Sequence, residues 1–407
     1  MLDRRLLRHI DWTLVGTALA LGTIGVLMVF SATSVPGKPD LDFAIRQLVW
    51  LGLGTLAAIT VASIPLRIYD GVAPYLYGVS VICLALVLVV GQEVYGAKRW
   101  LGAGVLRFQP SELAKLATLL LLARVLDDKR ADLRRARSWI KPAIIALIPM
   151  GLVLKEPDLG TSLTFGVLLA GMLYWAGLPF RTLALFAIPV LNAALFLFTR
   201  GVWASAAAVF GGLLLLRPRP RAAVLAAVLN IGILAAMPVF WNHLEPYQQG
   251  RIETFLNPGR DPYGSGYQII QSRIAIGSGG PFGRGYLQGT QKGLEFLPMK
   301  HTDFIFSVVG EELGFWGAML VLSLYAALLM RGLWLARAAR NRFASLIALG
   351  CTAVLWYHVM VNVLMTVGWA PVTGLPLPLV SYGGTSFVVT CVEIGLLLNV
   401  SLRRQEY

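Results

Sequence analysis

Residues 12–30 read Trp12-Thr13-Leu14-Val15-Gly16-Thr17-Ala18-Leu19-Ala20-Leu21-Gly22-Thr23-Ile24-Gly25-Val26-Leu27-Met28-Val29-Phe30, without a single charge. A bilayer crossing takes about 20 apolar residues, so this run is long enough to span. It lacks a small-residue cleavage site and reads as a retained span, not a secretory leader. Working outward, apolar runs recur at about 11–31, 47–64, 71–91, 112–126, 141–155, 161–178, 183–199, 202–216, 222–241, 304–330, 344–366 and 385–402. The composition agrees: of 407 residues, 57% are hydrophobic and 14% charged, where a soluble domain carries about 25% charged residues. That excludes a disordered chain, a nucleic-acid-binding tail protein and an ordinary cytosolic enzyme. The solvent of this chain is mostly lipid. The expected architecture is an all-α polytopic membrane protein.

The net charge of +14 would suggest nucleic acid in a soluble protein. Here the basic residues cluster between apolar runs, which is a topology signal, and no nucleic-acid partner is expected. Arg4, Arg5 and Arg8, Arg67, Lys129 to Arg137, Arg181, Arg217 to Arg221, Arg331 to Arg342, and Arg403 with Arg404 all fall on one side if there are twelve spans. The positive-inside rule makes that side cytoplasmic, with both termini there. The other side holds 32–46, 92–111, a long stretch from about 242 to 303, and the return at 367–384. Long loops are uncommon unless functional. The 242–303 stretch has ten glycines between Gly259 and Gly293, yet also Phe255, Tyr263, Tyr267, Ile269, Ile270, Ile274 and Ile276. A flexible linker is poor in such residues, so it reads as ordered, with short amphipathic helices on the membrane surface. Cys83, Cys351 and Cys391 lie in apolar runs and show neither metal-ligand spacing nor a disulfide framework.

Charge inside a span is costly and marks function by default. Glu112 and Lys115 are three apart and share a helix face. They form either an internal ion pair or a cation offered to an anionic ligand. Asp158, in Lys155-Glu156-Pro157-Asp158-Leu159-Gly160-Thr161, either caps the next helix or pairs with Lys115. Glu311, Glu312 and Glu393 lie within spans. The sharpest constellation is Glu295-Phe296-Leu297-Pro298-Met299-Lys300-His301-Thr302-Asp303-Phe304-Ile305-Phe306. It sets His301, Thr302 and Asp303 at the membrane surface, where a helix begins. Asp303 is either an N-cap or, partly buried, a general base. In Gly374-Leu375-Pro376-Leu377-Pro378-Leu379-Val380-Ser381-Tyr382-Gly383-Gly384, two prolines and a Gly-Gly forbid an ordinary helix. Irregular backbone at membrane depth must be buried or line a wet cavity, so this is a re-entrant segment and Ser381 a cavity residue. Lys98, Arg99 and Arg107 are outer-face cations, suited to phosphate or to lipid headgroups.

These segments resemble the SEDS family of bacterial membrane proteins (shape, elongation, division and sporulation; RodA/FtsW-like). The matching pieces are Arg107-Phe108-Gln109-Pro110-Ser111-Glu112-Leu113-Ala114-Lys115, Glu156-Pro157-Asp158-Leu159-Gly160-Thr161-Ser162, Asn257-Pro258 with Asp261-Pro262, and Gly264-Ser265-Gly266-Tyr267-Gln268. After them come Gln271-Ser272, Gly277-Ser278-Gly279-Gly280, Gly289-Thr290-Gln291, His301-Thr302-Asp303-Phe304-Ile305-Phe306, Gly310-Glu311-Glu312 and Leu377-Pro378-Leu379-Val380-Ser381-Tyr382-Gly383-Gly384. They run in family order over nearly the whole chain, 1–407, which then forms one membrane domain. The wording around Ile274 to Gly280 and Gly289 to Gln291 resembles the elongation (RodA) branch more than the division branch. There are two departures. The family usually has ten spans, so 183–241 contains an extra transmembrane hairpin. Met299 stands where the family commonly has Glu.

The resemblance implies a peptidoglycan glycosyltransferase. It would polymerise lipid II at the outer face of the bacterial cytoplasmic membrane during cell elongation. It implies Asp303 as general base in an inverting displacement, with undecaprenyl pyrophosphate as leaving group. Lys115, Arg99, Arg107 and Arg46 are implied as cations for the pyrophosphate. Glu112, Lys115 and Asp158 are implied as cavity residues, with His301 and Glu295 as supports of Asp303. A divalent cation such as Mg2+ is a possible aid, although no three-carboxylate cluster in the sequence demands one. The implied partners are a class B penicillin-binding protein, a transpeptidase, and other elongation-complex proteins. A lipid II flippase is the alternative, and it would gather its polar groups near the midplane.

Overall fold

The computed structural model describes residues 10–34, 40–94, 97–102, 108–128, 137–199, 246–260, 266–290 and 300–404, with isolated positions at 133 and between 211 and 242. The larger part of the hairpin expected within 183–241 lies outside the described residues. So do Arg107, Glu295 and Met299.

The helices are α1 (Trp12–Thr33), α2 (Asp42–Ser63), α3 (Leu66–Val90), α4 (Pro110–Asp127), α5 (Arg137–Lys155), α6 (Leu159–Trp175) and α7 (Phe180–Thr199). They continue with α8 (Pro246–Leu256), α9 (Tyr267–Ser278), α10 (Ile305–Ala338), α11 (Arg342–Thr366) and α12 (Thr385–Leu402). Among the described residues, seven helices are long and apolar enough to cross a membrane: α1, α2, α3, α5, α10, α11 and α12. The protein is therefore an all-α polytopic membrane protein. A single antiparallel hairpin, β1 (Gln92–Val94) and β2 (Ala97–Trp100), interrupts the helical pattern among the described residues.

Burial separates core helices from lipid-facing ones. In α2, Ile45, Leu48, Val49, Leu53, Leu56 and Ile59 are all exposed. Such an apolar outer face is stable only against hydrocarbon. The most apolar window of α2 is 17% buried, whereas that of α11 is 72% and that of α12 67%. α4 is also enclosed, with Pro110 at its first turn and Glu112, Lys115 and Thr118 buried along it. Helices wrapped in protein can carry polar groups that lipid would reject, and α4, α11 and α12 carry several of them. Small residues allow the close packing that membrane helices rely on. Gly395 of α12 lies against the Ala58 backbone of α2, and Gly350 of α11 against Leu119 of α4.

The described basic segments gather at one end of the bundle. Asp11 caps α1 through the Leu14 amide, worth about 1 kcal/mol, and it also pairs with Arg331 near the end of α10. Arg331 and Arg404 both stack on Trp334. Arg342 donates to the Ala176 carbonyl just beyond α6. Arg403, itself buried, donates to the Ala62 and Ser63 carbonyls at the end of α2. The grouping expected from charge patterning thus holds for these segments.

One span differs from expectation. The apolar run 304–330 reads as a continuous crossing with Glu311 and Glu312 inside it, but α10 breaks at Gly314 (φ 66°, ψ −163°). Residues before the break form a short buried segment, and the lipid-facing helix begins at Phe315 and Trp316, both exposed. A break would orphan helical backbone groups, and the loop 280–285 satisfies them. Phe315 N donates to Gly280 O (2.9 Å) and Trp316 N to Pro281 O (3.1 Å), while Arg284 N and Gly285 N donate to the Glu311 and Glu312 carbonyls. Glu311 accepts from the Thr290 amide (2.6 Å), and Ser31 of α1 donates to Glu312 (2.7 Å). Both carboxylates are structural anchors of the kink. Only glycine is comfortable at such φ and ψ, and a Cβ there would lie 2.2 Å from Gly283 N. Gly314→Ala is therefore expected to destabilise the fold by about 1–3 kcal/mol from backbone strain alone. Thermal unfolding in detergent checks this, and an unchanged midpoint would contradict it.

Candidate functional site

Asp303 sits in the turn 300–304, ahead of α10. The cap position of α10 belongs to Phe304, and no side chain caps that helix. Asp303 is thus not the helix cap, the simpler of its two possible roles. Its main-chain carbonyl accepts from Asn362 of α11 (2.9 Å), and the same amide group donates to Leu375 O (2.8 Å). Asn362 therefore ties the turn to the re-entrant segment 367–384. Its side chain is fully buried.

That segment is irregular, its part from Leu375 to Ser381 is largely buried, and its backbone groups are served by polar side chains as membrane depth requires. Ser381 accepts from the Leu377 amide (2.8 Å) and donates to the Thr302 carbonyl (2.6 Å). Gln47 of α2 donates to Ser381 O (3.2 Å), and Tyr325 of α10 to Pro378 O. Tyr382 N donates to His301 O (2.9 Å). Ser381 is accordingly a structural bridge beneath the His301–Asp303 turn as well as a cavity-lining residue. The His301 ring packs against Phe43 (4.9 Å) and Tyr382 (5.7 Å), and Arg46 lies over Phe43 at 5.9 Å. Burial, helped by Lys300, pulls the His301 imidazole below its ordinary value, so it is neutral at pH 7.

Within electrostatic reach of the Asp303 carboxylate lie Arg251 of α8, Asp158 at the start of α6, and Arg99 of β2. Burial raises the carboxyl, Arg251 lowers it, Asp158 raises it, and the Thr302 hydroxyl bond and Arg99 lower it, for a result of about 6. Asp158 caps α6 through the Thr161 amide (3.0 Å) and faces Arg99 at 3.6 Å. Arg99 also donates to the Glu156 carbonyl (3.1 Å) and the Pro157 carbonyl. The alternative in which Asp158 pairs with Lys115 is not adopted. Lys115 is 1% exposed, 2.9 Å from Glu112 and 3.3 Å from His358 Nε2. The geometry is that of the internal ion pair. Glu393 of α12 is within electrostatic reach of both members.

A small cavity beside Glu112 and His358 is lined also by Pro376, Leu379, Ser381 and Thr390. The outer cluster therefore collects Asp303, Asp158 and Arg99, with His301, Ser381 and Arg46 at its edge. Glu112 and Lys115 form a separate inner cluster. Among the described residues, no group of three or more His, Cys, Asp or Glu is disposed to hold a metal.

Three residues of the site were not singled out from the sequence. Arg251 and Asn362 owe their roles to contacts distant along the chain. Asn362 alone had a local cue, a lone amide in an apolar span. Glu156 belongs to a quoted motif, but its state follows from burial. It is 1% exposed, and neither carboxyl oxygen finds a hydrogen-bond partner among the described residues. Burial first, then Asp158, raise its carboxyl from the ordinary 4.5 to about 8, against a lowering by Arg99. The folded protein therefore holds this proton more tightly than the unfolded chain. The stability so contributed is full below the ordinary value and is lost as pH rises through about 8. Glu156→Gln cannot ionise. Its stability should gain on that of the wild type from about pH 5 to about pH 8, by roughly 1.4 kcal/mol for each pH unit crossed. Parallel curves of unfolding free energy against pH for the two proteins would refute this.

The FtsW/RodA/SpoVE cell cycle protein model matches residues 11–210 and 201–406. The chain is 37% identical over 398 residues to peptidoglycan glycosyltransferase MrdB of Escherichia coli (strain K12), covering 98% of this chain and 95% of that one. It is 33% identical to peptidoglycan glycosyltransferase RodA of Treponema pallidum, covering 97% and 98%. Among solved structures it matches a chain from work on the structural coordination of polymerization and crosslinking by a peptidoglycan synthase complex, with TM-score 0.74, 35% identity and coverage of 98% and 99%. It also matches the crystal structure of Thermus thermophilus rod shape determining protein RodA, with TM-score 0.64, 32% identity and coverage of 97% and 98%. Full-length matches at this identity, on a bundle with the same fold, settle the kinship: this chain belongs to the FtsW/RodA/SpoVE, or SEDS, family and is RodA-like.

Proposed function

We propose that this protein polymerises lipid II into glycan strands at the outer face of the bacterial cytoplasmic membrane, as the elongation-type member of its family. Peptidoglycan glycosyl transfer is the activity named for its relatives at 33–37% identity over nearly the whole chain. The observation that carries the finer reading is Asp303: a carboxylate free of helix capping, beside Arg251, Asp158 and Arg99, and raised to about 6. That value leaves it mostly ionised at pH 7 yet basic enough to take a proton.

The acceptor's 4-hydroxyl attacks the anomeric carbon of the donor's MurNAc while Asp303 takes its proton. The C–O bond to undecaprenyl pyrophosphate breaks in the same displacement. An α-linked donor yields a β-linked product, so the step inverts and needs no covalent intermediate. The leaving pyrophosphate needs positive charge at its oxygens. Arg99 and Arg46 are described cations on that side, and Arg107 belongs to the adjoining segment. Lys115 is engaged by Glu112 and His358, so its contribution is to hold α4 against α11. A divalent cation such as Mg2+ would arrive on the pyrophosphate itself, and no step here depends on it.

The clustering of described basic segments at the opposite end supports a cytoplasmic location for that end and for both termini. A class B penicillin-binding protein is the proposed partner, together with other elongation-complex proteins. The solved complex that couples polymerization and crosslinking supports that pairing.

The second reading, a lipid II flippase, draws on the inner cluster of Glu112, Lys115, His358 and Glu393. The two separate in detergent micelles, where there is no bilayer to cross. The purified protein with its partner is expected to convert labelled lipid II into a ladder of glycan chains. A folded complex that yields none, yet moves lipid II across vesicle membranes, would favour the flippase.

A further inference from the structure

We propose that Arg251 is a positioning residue for Asp303, through which docking of the outer-loop helix α8 sets the charge of the base. The proposal rests on Asp303 being the base. Its geometric ground is the strip Val372–Gly374 of the re-entrant segment, where three parts of the chain meet. Arg251 donates to Val372 O at 3.1 Å. Gly160, at the start of α6, packs so tightly on Thr373 that a Cβ would come within 2.9 Å of it. Gly374, at φ 75°, lies next to Asp303, with its Cβ position 3.6 Å from Oδ2. One guanidinium thus reaches the strip and the field of the carboxylate together. Arginine suits this because its guanidinium can donate to a carbonyl and still carry a positive charge that does not titrate.

The other groups facing Asp303 cannot substitute. Asp158, from α6, has the same sign as Asp303. Arg99, from β2, is already shared among the Asp158 carboxylate and the Glu156 and Pro157 carbonyls. Thr302 gives a neutral hydroxyl bond, and Asn362 of α11 binds only the main-chain carbonyl. His301, two residues away, is neutral at pH 7, and the ammonium of Lys300 bears on its ring. Arg251 is therefore the cation whose removal changes the base most. An undocked α8 would leave Asp303 protonated more often and the site idle.

The test is the pH dependence of kcat/KM for lipid II polymerisation by the full-length protein with its partner, in wild type, Arg251→Gln and Arg251→Lys. The Gln variant is expected to move the acid limb upward by about one pH unit. Its rate should fall roughly fivefold at pH 6 and recover toward wild type at pH 8. The Lys variant should keep the limb near its wild-type position. If both variants lose rate equally at every pH with the limb unmoved, Arg251 only anchors α8 and the proposal is overturned. Arg251→Met replaces the Gln variant if that protein is unstable. Inability of either neutral variant to fold would likewise make Arg251 a fold anchor and count against the proposal. Failure of the underlying reading looks different: the wild type itself would lack the acid limb, or Asp303→Asn would remain active.

Discussion

Asp303→Asn is expected to lower lipid II polymerisation by roughly 10²–10⁴-fold, the range contributed by a positioned general base, while leaving the fold intact. The amide keeps the size of the carboxylate and can still accept from Thr302. The helix cap is unaffected, because Phe304 holds that position. The bond from Asn362 goes to the main-chain carbonyl, which the substitution does not touch. Only the ability to take a proton is lost. Unfolding midpoints of the two proteins in detergent should therefore coincide while their turnover diverges. Activity within about threefold of wild type would remove Asp303 as base and turn attention to Asp158 and Glu295.

Lys115→Met is the second large effect, and it acts on stability. The ammonium is 1% exposed and lies 2.9 Å from Glu112, with Glu393 in electrostatic reach. Removing it leaves acidic groups buried without compensation. Breaking a buried pair from one side costs about 3–5 kcal/mol, whereas replacing both members by neutral groups is often close to neutral. Lys115→Met should thus unfold well below wild type, and adding Glu112→Gln should restore much of the loss. A double-mutant cycle on unfolding midpoints measures the coupling. The opposite pattern is also informative. Wild-type stability with abolished polymerisation would mean that Lys115 serves an anionic ligand, and the ion pair would be incidental.

Much of the bundle was legible because hydropathy is a local property. The run 112–126 corresponds to α4 (Pro110–Asp127), and 385–402 to α12 (Thr385–Leu402). The re-entrant segment was legible because two prolines and a Gly-Gly cannot continue a helix. The kink at Gly314 was not, since apolar character runs on across it and the break depends on a loop about 30 residues upstream. The hairpin of β1 and β2 was missed because strands of three and four residues leave no useful periodicity. At the site, residue type and motif order pointed to Asp303, Asp158 and Arg99. Which of two roles each group takes was decided only in three dimensions. Asp158 faces Arg99 because the Arg99 side chain reaches the turn 156–158 ahead of α6, and Lys115 faces Glu112 and His358 because α4 packs on α11. Arg251 has no local mark at all. Its meaning comes from Val372, 121 positions away.

In the proposed reaction, a carboxylate poised near neutrality at Asp303 activates the acceptor sugar. The pH profile of kcat/KM for lipid II polymerisation by the wild-type protein with the proposed transpeptidase partner tests this. The base must be ionised to act, so the rate should fall as pH drops through about 6, the value set by burial against Arg251. A profile that stays flat from about pH 7 down to about pH 5, with the fold intact, would contradict it.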